Sequence, residues 1–181
     1  MAYNHAICLT TNMMCWDVDA LNLCGIYGSA DLDNGVIVTL SSMNVDSNDA
    51  INGYEYDVAL ATSTSTECYV IATPLPGTAI EQQYLSDPRT FYNKAGRPMS
   101  IKYLMPKTDC IEVDANAFDA TVDWSDFEQG SYVKVGTDGK LDADVVSVAP
   151  VSGIYFRIEG KHSVSVGQEE VPTVVLRCMA N

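Results

Sequence analysis

The feature that most constrains this chain is a succession of short apolar or alternating segments, each closed off by Gly, Asn, Asp or Pro, at the spacing of an all-β domain. Candidate strands cover residues 36–40, 54–60, 69–73, 101–105, 111–113, 132–135, 145–148, 154–158, 164–166 and 174–178. So many short strands cannot pair in one simple hairpin stack, and the expected fold is mainly β, with sandwich or barrel-like sheets. Asn34-Gly35, Asn52-Gly53 and Asp138-Gly139 tolerate the positive φ angles of tight hairpins. The last is the clearest, because Val133-Lys134-Val135 precedes it and Leu141 follows. Gly160-Lys161-His162-Ser163 reads as a further turn between strands.

One short helix is expected near residues 87–95, with Asp87 as N-cap, Pro88 as its first residue, Phe91 and Tyr92 as anchors and Gly96 ending it. A looser helical turn is expected at 79–85. Residues 1–30 show no period and are expected to form an N-terminal arm ordered against a partner, or an irregular edge segment. Residues 31–181 then make a single β-rich domain, long enough to bury a core without disulfide or metal staples.

Charge narrows the function classes. With 24 acidic and 10 basic residues the net charge is −14, which opposes non-specific binding to nucleic acid. Half the basic residues, Arg89, Lys94, Arg97, Lys102 and Lys107, fall in one stretch. That stretch reads either as a solvated loop or as a contact for an acidic protein surface or a second copy. The start lacks the pattern of an export signal, and no apolar run approaches the ~20 residues of a membrane span, so synthesis in a cytoplasm is expected. Cysteines 8, 15, 24, 68, 110 and 178 form no Cys-x-x-Cys, and several sit in strand-like segments, which favours reduced core thiols.

No catalytic, cofactor-binding or metal-binding set is recognised. Asp31-Leu32-Asp33-Asn34-Gly35 starts like an EF-hand loop, but its glycine is one position early and Ser42 stands where the bidentate Glu belongs, so a hairpin turn is the expected reading. Asp17 and Asp19 read as a solvated acidic pair. A thiol nucleophile has only His5 and His162 as candidate bases, neither within a motif. Zinc-type ligand pairs, phosphate loops and Gly-x-Ser-x-Gly are missing from the sequence. The expected protein is therefore not an enzyme. Trp124 and Phe127, set among acids in Asp123-Trp124-Ser125-Asp126-Phe127, are a candidate contact surface.

The segment Tyr69-Val70-Ile71-Ala72-Thr73-Pro74, then Phe91-Tyr92-Asn93-Lys94-Ala95-Gly96-Arg97-Pro98, Ile101-Lys102-Tyr103-Leu104 and Ala117-Phe118-Asp119, resembles tailed-bacteriophage head decoration, cement or head-fibre proteins. The resemblance spans roughly residues 31–158. Thr108-Asp109 replaces the glycine step of that pattern, and the N-terminal 30 residues have no counterpart in it. It implies a virion protein without cofactor on the outer surface of a capsid shell. Its partner would be the major capsid protein, with no direct nucleic-acid or membrane contact, and a homo-oligomer, a trimer by preference, would be expected. The candidate contacts for such a partner, read from the residues themselves, are Arg89, Lys94, Arg97, Lys102, Lys107, Trp124 and Phe127. The alternative from the residues is a carbohydrate- or receptor-binding β module of a fibre or tail.

Overall fold

The computed structural model describes residues 5–14, 18–44, 54–75 and 87–180. The fold is mainly β, built as a five-stranded antiparallel sheet packed against a small closed barrel. The sheet has the order β1-β7-β10-β9-β8, with β1 Cys8–Asn12, β7 Cys110–Asp114, β8 Tyr132–Lys134, β9 Tyr155–Val166 and β10 Glu169–Ala180. The barrel runs β2-β4-β3-β5-β6 and closes β6 onto β2, with β2 Asn22–Ile26, β3 Ile37–Asn44, β4 Glu55–Leu60, β5 Tyr69–Ile71 and β6 Met99–Tyr103.

The two-residue side-chain period explains how one chain fills two cores. In the sheet, Ile111, Val113, Val133, Phe156, Ile158, Val174, Leu176 and Cys178 point inward, each 1% exposed or less. The start of β3, Ile37 and Val38, and all of β5, Tyr69–Ile71, are buried on both sides and so read as short apolar runs, whereas β3 is exposed at residues 41–43. Ile37 and Val70 face the sheet, whereas their neighbours Val38, Tyr69 and Ile71 fill the barrel with Val58, Met99 and Ile101.

Several expectations acquire different boundaries. Residues 8–12 and 22–26 are strands, β1 at the sheet edge on β7 and β2 inside the barrel between β4 and β6. The helix expected at 87–95 is a single 3-10 turn, Pro88–Thr90. Asp87 caps it as anticipated, accepting the Arg89 N–H at 2.9 Å, but Phe91 is already extended, because the chain must next bridge to Leu32. Residues 154–166 do not break at Gly160. β9 pairs with β10 through Lys161, His162 and Ser163, and the reversal comes at Gly167 instead. Residues 145–148 contribute only a bridge from Val146 to Tyr132.

The Asn34-Gly35 turn leads into β3 and is no hairpin, since β2 and β3 are not neighbours. Its acids serve as fasteners: Asp33 holds His5 at 2.7 Å and Asp31 accepts the Ala95 N–H at 2.9 Å. Asp138-Gly139 does cap a hairpin, with Val135 bridged to Leu141, and the Gly139 carbonyl accepts the Ile37 N–H at 2.7 Å, tying this tip to β3. The Asn52-Gly53 dipeptide, the turn expected at 79–85, Cys15 and Asp17 lie outside the described residues. No helix among the described residues is long and apolar enough to cross a membrane.

Candidate interaction surface

Residues 92–97, one part of the segment that carries the resemblance and the site of two of its five basic residues, fold into a tightly held turn. Asn93 is buried and exchanges backbone hydrogen bonds with Leu32 at 2.7 and 2.8 Å, while its side-chain amide reaches Leu32 O and Asn34 Oδ1 at 3.1 Å. Ala95 N–H donates to Asp31, Gly96 N–H to Tyr27 O at 2.8 Å, and Arg97 N–H back to Lys94 O at 3.1 Å. Gly96, with φ +69°, supplies the left-handed position that such a turn requires. With its backbone so fixed, the turn presents Tyr92, 42% exposed and stacked on His5, together with the exposed side chains of Lys94 and Arg97. Neither cation pairs with a carboxylate among the described residues. A preformed turn bearing an aromatic and two unneutralised cations is suited to an acidic protein surface, since little conformational freedom is lost on contact.

The other expected contact residues are placed elsewhere. Arg89 is 8% exposed, held by Asp87 and Glu169, and clamps the 87–90 turn to the start of β10. Those two carboxylates raise its pKa and keep the guanidinium charged. Lys102 is 5% exposed on β6, its ammonium donating to Asn22 at 2.9 Å. Lys107 is exposed, but in a left-handed turn tied to Cys178 O, apart from the 94–97 turn. Phe127 is 1% exposed and packs edge-on to Phe118 at 5.2 Å, and the half-buried Trp124 leans on it. The five-cation run is thus not one patch, and the aromatic pair is mostly core. Burial overrides sequence adjacency because strand alternation and tertiary pairing take Arg89, Lys102 and Phe127 inward.

No family model, curated protein or solved structure matches this chain. Burial raises the thiol pKa values of Cys8, Cys24, Cys68 and Cys110, that of Cys8 to about 12 with the charge of Asp114 adding to the effect, so these sulfurs stay protonated and weakly nucleophilic at neutral pH. The two histidines face carboxylates, His5 on Asp33 and His162 on Glu112 at 2.8 Å. Among the described residues no group of three or more His, Cys, Asp or Glu side chains is arranged to hold a metal ion.

Sequence reading missed a second grouping of cations. Arg157 and Arg177 meet on the outer face of the five-stranded sheet beside Tyr132 and Tyr155, although they are distant along the chain. The available signal was local: each arginine interrupts an otherwise apolar alternating strand at an outward position.

Proposed function

We propose that this chain is a structural virion protein that binds the outer surface of an assembled capsid shell, decorating or reinforcing it, with the major capsid protein as partner. The observation that carries this reading is the turn at residues 92–97. Within one of the segments that resemble head decoration proteins, residues 91–98, the backbone is pinned by Leu32, Asp31 and Tyr27, leaving Tyr92, Lys94 and Arg97 outward. In a chain of net charge −14, that local positive charge favours docking in one orientation on an acidic partner and disfavours other faces. Stabilisation would arise by mass action: a ligand that binds the assembled shell and not its free subunits shifts the equilibrium towards the shell.

The test has two arms. Mass spectrometry of purified virions should find the chain in the particle, and its absence there ends the reading. In a binding assay on preassembled shells, the Lys94→Glu/Arg97→Glu variant should lose occupancy and show a flatter salt dependence than the parent. Unchanged occupancy would remove this turn from the interface.

A further inference from the structure

The outer face of the five-stranded sheet carries an arrangement that folding alone does not call for. β9 and β10 pair so that Arg157 and Arg177 stand directly opposite each other, where like charges repel. One carboxylate lies between them. Glu159, left without a partner where the register shifts between Val175 and Leu176, places Oε1 3.1 Å from Arg177 Nε and 3.9 Å from an Arg157 guanidinium nitrogen. Neither contact is aligned as a hydrogen bond. Two cations share one anion, and both guanidinium side chains remain about two-fifths exposed, at 40% and 39%. Tyr132 stands opposite Arg157 and meets Tyr155 edge-on at 5.8 Å. Arginine and tyrosine on a flat support are the residues that dominate protein contacts.

The complement of this surface adjoins it. Tyr132 exchanges both backbone hydrogen bonds with Val146, at 2.8 and 2.9 Å, which carries the sheet edge into the loop 143–153. That loop exposes Val148 and Val151 to 77% and 103%. Asp126, Glu128 and Asp144 line the hollow beside it, about 470 Å³ in volume. The far end of the loop is anchored as well. Gly153, at φ +79°, packs so closely on the 62–65 turn that a Cβ there would lie 2.0 Å from Ser63 O. An apolar tip held at both ends and flanked by acids is preorganised to contact something basic and apolar.

We propose that this face binds a second copy of the chain in a two-fold arrangement. The Val148 and Val151 loop with its acidic flank, on one protomer, seats on the Arg157, Arg177 and Tyr132 surface of the other, and the reverse contact forms at the same time. A patch whose two halves are complementary and adjacent is what an isologous interface requires. The pairing uses none of the residues of the 92–97 turn, stands whether or not the chain binds a capsid, and differs from the threefold association that the resemblance implies.

Analytical ultracentrifugation of the full chain tests it. The wild-type protein should sediment at twice its 19.6 kDa mass. Val148→Asp/Val151→Asp changes side chains that are mostly in solvent, so it should keep its circular dichroism spectrum and dissociate about tenfold more readily or worse, a loss of at least ~1.4 kcal/mol. Arg157→Glu/Arg177→Glu and Glu128→Lys/Asp144→Lys should each be monomeric alone. Mixed in equal amounts they should form a heterodimer, because the two-fold pairing then sets Glu against Lys in one contact and keeps native Arg against Asp and Glu in the other. A wild type that is monomeric up to ~1 mM would overturn the proposal. So would a trimer, a dimer indifferent to the valine variant, or a mixture that stays monomeric.

Discussion

Replacing Gly139 by alanine tests how the two sheets are joined. Gly139 sits at the tip of the 136–140 hairpin with φ +77°, where an L side chain costs about 1–2 kcal/mol. An added Cβ would lie 2.5 Å from Ile37 O and 3.0 Å from a Val36 methyl, and the first of these is backbone that cannot rotate away. To relieve the clash the tip must retreat by roughly 0.5 Å or more in a close-packed setting. That retreat stretches the 2.7 Å hydrogen bond from Ile37 N–H to Gly139 O, and Ile37 is 0% exposed. Leaving a buried donor unsatisfied adds about 1–3 kcal/mol, for a total of about 2–5 kcal/mol. Gly167 is the control. It is also left-handed, at φ +64°, but a Cβ there meets nothing within 4 Å, so Gly167→Ala should lose only about 1–2 kcal/mol. Urea unfolding curves with matched m-values give both numbers. If the two variants fall within ~0.5 kcal/mol of each other, the hairpin tip does not dock on β3 and this account of the junction fails.

Two further outcomes follow from burial. Phe127→Ala should lose about 3–5 kcal/mol in the same unfolding assay, because it empties a core position between Phe118 and Trp124, and a loss under ~1 kcal/mol would mean that the ring is not core. Asp114 is 2% exposed, and desolvation outweighs the hydrogen bonds from Ile7 N–H and Asn116, so its carboxyl titrates above the usual range. A raised carboxyl binds its proton more tightly in the folded chain than in the unfolded one. The destabilisation is therefore fully present at neutral pH and is relieved as pH falls through the raised value towards the ordinary one. Wild-type stability should accordingly gain on Asp114→Asn over mild acidification, as followed by denaturant titrations at stepped pH, and a stability difference that stays constant would refute the assignment.

What the sequence determined by itself is local. The apolar segments 111–113, 132–135 and 174–178 specified strands, and a two-residue period then puts Ile111 with Val113, and Val174 with Leu176, on one inward face. Asp87-Pro88 specified a capped start and Asp138-Gly139 a hairpin, since each acts through its own backbone geometry. Tertiary structure decided what depends on distant partners. Cys24 pairs in parallel with Glu55 and closes a barrel that no neighbouring residues announce. β9 continues through Gly160 because β10 offers a hydrogen-bonding edge there, overriding the turn chemistry of the residues themselves. The same rule governs charge. Arg89 and Lys102 were drawn from the basic stretch into buried pairings, Lys94 and Arg97 were left outside by a pinned turn, and Arg157 was set against Arg177 by strand register. A charge's sequence position shows that it exists, but its exposure and its neighbours are settled only by which strands pair.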